Sequence, residues 1–309
     1  YELAQRGAAV RVYERATEIG AGSVSRYAGG MLAPWCERES AEEEVITLGG
    51  RAIDWWAKVP SVHRRGTLVV APPRDRAEIT RFARRTTQYR RVDGPEIAEL
   101  EPALAGRFSQ ALFFDQEAHL DPRRAIRDLA AAVSALGVEM CLGTDAPGAV
   151  DLDCRGIAAA GQLADLRPVR GEMAILHCPE VKISRTLRLL HPRMPLYLVP
   201  RGDGRFMIGG TMIESTSARA ITLRSLSELL NAAFTLQPGV AEASVVETGA
   251  GLRPAFPDNL PRLHQDGGTL FLNGLYRHGF LLAPAMAQQV ANRLRPETQD
   301  ENHRERQTA

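Results

Sequence analysis

Glu14 is the first residue whose position suggests chemistry. Residues 1–6 read as the last turns of a helix, Gly7 as its C-terminal stop, and residues 9–14 as an alternating strand that ends in an acid. A helix, a tight glycine and a strand ending in Glu form the second half of a Rossmann βαβ unit. In that unit the acid binds the adenosine ribose, and a Gly-rich turn lies about 20 residues earlier. An ordinary α/β crossover with a surface Glu fits the same pattern. The segment Gly20-Ala21-Gly22-Ser23-Val24-Ser25 does not supply the turn. It follows its strand too late, and Ala28-Gly29-Gly30 and Pro34 spoil any helix after it, so it reads as a Gly-rich loop. Metal chemistry finds no support either. The four Cys, at 36, 141, 154 and 178, form no CxxC pair, and the seven His show no HxxxH or HExxH spacing.

Three glycine-bearing segments carry more. They are Ser25-Arg26-Tyr27-Ala28-Gly29-Gly30-Met31-Leu32-Ala33-Pro34, Gly249-Ala250-Gly251-Leu252-Arg253-Pro254, and Gly274-Leu275-Tyr276-Arg277-His278-Gly279-Phe280-Leu281-Leu282-Ala283-Pro284. Each alone reads as a plain turn. Four further motifs fall between them: Phe114-Asp115, His119-Leu120-Asp121-Pro122, Val169-Arg170-Gly171-Glu172 and Tyr197-Leu198-Val199-Pro200-Arg201. In this order, over nearly its whole length, the chain resembles the glycine oxidase branch of the D-amino-acid-oxidase family of FAD enzymes. That branch makes the imine of glycine for the thiazole ring of thiamine.

The resemblance implies a cofactor, FAD, and a set of contacts. Glu14, with Arg15 beside it, would hold the ribose. Ser25, Gly29, Gly30 and Met31 would lie along the flavin and diphosphate. Gly274, Leu275, Tyr276, Arg277, His278, Gly279, Phe280 and Leu281 would close over the isoalloxazine. Glycines let backbone approach a flat ring, and a helix opening after Gly279 would turn its N–H groups toward an electron-rich edge. Arg253 matches the family's carboxylate-binding Arg, whose planar fork suits a bidentate pair. Tyr197 matches a Tyr that hydrogen-bonds the same carboxylate, and Arg277 a residue between flavin and substrate. No catalytic acid or base is assigned, since hydride leaves the substrate Cα for the flavin N5 and the protein mainly orients the substrate. His278 is read as structural or solvent-facing. Dioxygen would restore the flavin and give hydrogen peroxide. The imine would hydrolyse to glyoxylate and ammonia or pass to thiazole synthase.

Some features depart from the pattern. The Gly-rich diphosphate turn would lie ahead of Tyr1, so the FAD-binding domain is expected to be N-terminally truncated, with a strand and Gly-x-Gly-x-x-Gly turn encoded upstream. Without them the chain is expected to hold FAD poorly. The stretch before Cys154-Arg155-Gly156 is short, so no adenine contact is carried over from it. Three rivals stand beside the main reading. They are a sibling sarcosine oxidase or amino-acid dehydrogenase, a remnant that no longer holds FAD, and an NAD dehydrogenase.

The elements that must position these residues follow from periodicity. Ser40 with Glu43 spells a capping box, and Val45, Leu48, Ala52, Trp55, Trp56 and Val59 then recur at helical spacing. Residues 66–71 and 111–114 read as strands. Residues 75–91 read as a basic, helix-like solvated face. Pro122 opens a helix with a stripe of Ile126, Leu129, Val133 and Leu136. Short strands follow at 138–142 and 150–154. Residues 170–176 form a strand, and 196–211 a hairpin turning at Gly202-Asp203-Gly204. Residues 223–234 form an amphipathic helix, 244–249 and 269–273 strands, and 282–294 a closing helix. Arg253 would sit between a strand and a loop. The fold class is therefore α/β, a Rossmann-like FAD-binding domain (residues 1–62, 119–165 and 264–295) interleaved with an α+β, antiparallel-sheet substrate domain (63–118 and 166–263). Residues 296–309 would be a disordered tail.

Composition agrees. At 309 residues, 44% hydrophobic and 24% charged, the chain suits one large or two smaller globular domains. Lys plus Arg at 38 against Asp plus Glu at 37 gives a net charge of +1, which offers no case for nucleic acid as a partner. No run approaches the roughly 20 apolar residues that span a bilayer, and dispersed Cys fit a reducing cytoplasm. A homo-oligomer is expected from relatives.

Overall fold

The computed structural model describes residues 1–59, 62–191 and 195–296. Among them, nine strands build one large sheet. From one edge it runs Arg90–Asp93, Gln110–Phe114, Thr67–Val70, Thr186–Leu189, Leu196–Gly202, Arg205–Gly209 and the long strand Arg167–His177. Ile213–Glu214 and Ser244–Ala255 also pair with the long strand. Every pairing is antiparallel except Thr67–Val70 with Thr186–Leu189. Leu68, Val69 and Val70 are all fully buried, so this strand reads as an unbroken apolar run rather than an alternating one. Its period of two survives in the packing. Leu68 and Val70 meet Leu187, Leu189 and the helix Leu223–Leu236, whereas Val69 meets Ile79, Phe82 and Phe114 on the opposite face.

Parallel pairs lie nearer the two ends of the chain. Arg11–Glu14 runs parallel to Glu139–Leu142, and Leu152–Asp153 parallel to Thr269–Asn273. Met31–Leu32 pairs with Ala118–His119, which fixes the Gly29–Gly30 segment beside the large sheet. The closing helix Gly279–Leu294 packs on Glu43–Gly49 and Ala52–Trp56. Pro284 lies inside this helix and has no N–H for the Phe280 carbonyl. The Trp56 indole donates to that oxygen instead, at 2.7 Å, and ties the first turn of the helix to its neighbour. No described helix is long and apolar enough to cross a membrane.

Several expectations are corrected. The capping box does not form. The helix opens at Glu43 with Glu42 as its uncapped N-cap, because Ser40 turns away and accepts a 2.7 Å hydrogen bond from Arg277. The helical run from Val45 to Val59 is two helices, broken at Gly50–Arg51. Residues 75–91 are α-helical only over Ala77–Ala83, and Arg90 and Arg91 belong to a strand. The closing helix starts at Gly279, not 282. Arg253 lies within the strand Ser244–Ala255, because pairing with the long strand runs unbroken from Glu247 to Ala255. The expected tail lies outside the described residues from 297 onward.

Candidate active site

A pocket opens where the long strand, Ser244–Ala255, the Gly29–Gly30 segment and the first turn of the closing helix converge. Arg253 enters it from the sheet. Its guanidinium is half-buried and donates to the Thr211 carbonyl at 2.9 Å. It packs across the face of Gly171 on the neighbouring strand, where any Cβ would collide with it. Burial lowers its pKa; Tyr276 opposes that effect and Arg277 adds to it. No carboxylate pairs with Arg253 among the described residues.

The opposite wall is organised by Glu37, which the sequence analysis did not single out. Glu37 is buried at the end of the short helix Pro34–Glu37. It accepts a 2.6 Å hydrogen bond from the Tyr197 hydroxyl and pairs with Arg277 at 2.6 Å. His278 Nδ1 lies 3.7 Å away. Burial pushes the Glu37 carboxyl up, but Arg277, His278, Arg188 and the Tyr197 hydroxyl outweigh it and bring the pKa to about 2. Arg188 stacks on the Tyr197 ring at 5.1 Å, donates to the Cys36 carbonyl at 2.6 Å and pairs with Glu39 at 3.3 Å. Glu172, also at the pocket, is paired with buried Arg170 at 2.7 Å. His278 is buried, and its pKa is depressed to about 4 mainly by that burial.

Two buried groups brace the chain behind the pocket, Arg201 at the glycine segment and Glu117 at the helix Pro34–Glu37. Arg201, on the hairpin strand, donates to the carbonyls of Ala28 (2.8 Å), Gly29 (3.0 Å) and Leu120 (3.1 Å). Gly30 has a φ of +70°, and a Cβ there would strike the Leu120 carbonyl, so only glycine fits. Glu117 accepts from the Cys36 N–H at 2.7 Å, and burial raises its pKa to about 8.

Comparison with known proteins gives this geometry its context. The sequence profile of the DAO family, described as FAD dependent oxidoreductase, matches residues 1–293. The chain belongs to the DAO family. It is 58% identical over 300 residues to "Putative thiamine biosynthesis oxidoreductase ThiO" of Rhizobium etli, spanning 95% of this chain and 91% of that one. It is 27% identical over 339 residues to glycine oxidase of Pseudomonas aeruginosa, spanning 94% and 89%. The crystal structure of glycine oxidase from Geobacillus kaustophilus superposes with a TM-score of 0.79 at 23% identity, covering 96% of this chain and 91% of that one, and so shares its fold. The chain is thus an FAD-dependent oxidoreductase of the glycine oxidase and ThiO type.

The pocket of this DAO-family chain has features that suit FAD. The closing helix presents a first turn with no side-chain cap, and Gly279, Phe280 and Leu281 of that turn line the pocket. Unpaired N–H groups at a helix N-terminus favour an electron-rich ring edge. A Cβ on Gly279 would meet no atom within 4 Å, so the turn borders open space.

The structure brings Ser25, Gly29, Gly30 and Met31 to the pocket, together with Tyr197, Arg253 and residues 276–281. Glu14, Arg15, Gly274 and Leu275 do not line it. Glu14 accepts from the Ala16 N–H at 2.8 Å, and Arg15 pairs with Asp145 at 2.9 Å. Gly274 packs on Phe256, and Leu275 joins the cluster around Trp55 and Trp56. Tyr197 and Arg277 both engage Glu37. Glu37, Arg188, Glu172 and Met212 line the pocket without having been expected there. One signal in the sequence could have pointed to Glu37: it is an acid closing the run Met31-Leu32-Ala33-Pro34-Trp35-Cys36.

Proposed function

We propose that this enzyme oxidises glycine or a similarly small amino acid or amine, with Arg253 anchoring the substrate carboxylate. One observation carries the reading. Of the three arginines at the pocket, Arg188 and Arg277 have carboxylate partners, whereas Arg253 has only a backbone oxygen. A half-buried guanidinium with spare donors is a receptor for a carboxylate brought by the substrate. The names of the relatives, glycine oxidase and thiamine biosynthesis oxidoreductase, support the substrate size and a role in supplying thiazole synthesis.

Ser25, Gly29, Gly30, Met31 and residues 276–281 would hold the flavin end, and Glu14 with Arg15 the ribose end. The domain division is proposed as residues 1–62, 119–165 and 264–295 for FAD and 63–118 with 166–263 for substrate. When bound, FAD would supply the acceptor for the substrate Cα hydride, with dioxygen as the final oxidant and hydrogen peroxide as its product. The chain's own work is positional. Arg253 fixes the carboxylate, the glycine segment admits the amine close to the ring, and the Glu37 cluster closes the far wall. The imine product hydrolyses to glyoxylate and ammonia or is consumed by thiazole synthase.

Anaerobic flavin bleaching by glycine, sarcosine and D-alanine tests the reading. In flavin-loaded protein, Arg253→Ala should keep its flavin yet lose roughly 2–5 kcal/mol of substrate stabilisation. Arg253→Lys should recover only part, since an ammonium has no planar fork. Bleaching by Arg253→Ala at the wild-type rate at low substrate would exclude Arg253 as the anchor.

A further inference from the structure

The charges around the pocket are balanced with one exception. Arg277 is matched by Glu37, Arg188 by Glu39, and Glu172 by Arg170. Glu39 is shared with Arg85 outside the pocket, and among the described residues Arg253 is the one pocket arginine with no carboxylate in contact. Glu37 creates this state. Without its carboxylate, Arg277 would be a second open guanidinium in the same pocket. Arg277's remaining partners, the Ser40 hydroxyl and the Met212 sulfur, carry no charge.

Building on the proposed anchor at Arg253, we infer that Glu37 determines specificity by restricting the substrate to amino acids with one carboxylate. A substrate with a second anionic group would set that group against Glu37, and like charges facing each other across a desolvated site cost far more than they do in water. Burial, the Tyr197 hydrogen bond and the Arg277 ion pair keep the Glu37 carboxylate in place, so it cannot swing away to admit an anion. Glu37→Gln is the probe. The amide keeps the side chain's size and an oxygen that accepts from Tyr197, and it removes both the charge and the acceptor that faces Arg277.

The experiment uses the flavin-loaded protein and needs no turnover. Binding of unreactive carboxylates is read from perturbation of the flavin absorbance, with acetate as the monoanion and malonate and succinate as dianions of different spacing. Wild type should prefer acetate. Glu37→Gln should shift the ratio of dianion to acetate affinity by about tenfold or more toward the better-spaced dianion. Arg277→Gln, which leaves Glu37 uncompensated, should shift the ratio the opposite way. The double variant should return it to near the wild-type value. An unchanged ratio in Glu37→Gln overturns the inference. Should that variant fail to retain flavin, an unchanged ratio in Arg277→Gln overturns it equally. Arg253→Ala separates this from the anchor: if it leaves acetate binding intact, the anchor is wrong, whereas the Glu37 ratio is a distinct reading from the same titrations.

Discussion

The Arg253 guanidinium occupies the space that a side chain at Gly171 would need. The two residues are diagonal neighbours on paired strands, since Gly251 faces Gly171 and Arg253 faces Val169. An arginine can lie flat over the sheet here only because the strand beside it presents a bare Cα.

Gly171→Ala should therefore damage function more than folding. The colliding atoms are the far end of a flexible side chain, so the sheet can absorb the methyl by displacing Arg253. Misplacing the carboxylate fork by about 1 Å should cost roughly a hundredfold in glycine oxidation. Steady-state kinetics and thermal melting on the same preparations check this. A large drop in melting temperature with normal kinetics would contradict it.

Arg201 should behave in the reverse order. Arg201→Met strips partners from the carbonyls of Ala28, Gly29 and Leu120. The loss should be roughly 1–3 kcal/mol of stability per buried group left unpaired. Arg201→Lys should rescue little, because an ammonium cannot reach three oxygens arranged for a fork. Denaturant titration measures the stability, and flavin release on dilution reports the loosened glycine segment.

Glu117 gives a pH signature between its ordinary and its folded pKa. Its folded pKa of about 8 exceeds the ordinary 4.5, so between those values the folded chain holds a proton that the unfolded chain has released. The stability from this group is complete below about pH 4.5 and is lost as pH rises through 8, at up to about 1.4 kcal/mol per pH unit. Glu117→Gln, which can still accept from Cys36, should flatten the fall in melting temperature between about pH 5 and 8. Parallel curves for the two proteins would refute the assignment.

His119 acts on the acid side. It is buried, stacked on His63 at 5.1 Å, and burial with the neighbouring His63 and Arg201 charges depresses its pKa to about 3. The unfolded chain binds a proton first as pH falls below 6.5, so stability is lost from there down through about 3. His119→Phe should reduce the slope of stability against pH between about pH 6 and 4 and leave the slope above about pH 7 unchanged. Urea denaturation at several pH values reads this directly.

Much of the fold was legible because it rests on local rules. The hairpin at residues 196–209, the helix opening at Pro122 and the strand ending at Glu14 follow from periodicity and turn chemistry, which act over a few residues. The errors fell where tertiary contacts overrode a local preference. Ser40 has the right spacing to cap a helix, but Arg277, 237 residues away, takes its hydroxyl. The Leu-Arg-Pro motif looks like the end of a strand, but a continuous partner strand carries it through to Ala255.

Sequence alone determined the family, the glycine segments and the arginines available for a carboxylate, because residue types and their order are properties of the chain itself. Which arginine is free to bind was not among those properties. Arg188, Arg253 and Arg277 carry the same charge and the same planar fork. They differ only in what stands beside them: Glu39, a backbone oxygen and Glu37. Those neighbours lie 149, 42 and 240 residues away along the chain. Electrostatic pairing depends on distance in space, and only the folded sheet and the closing helix bring these charges within reach of one another.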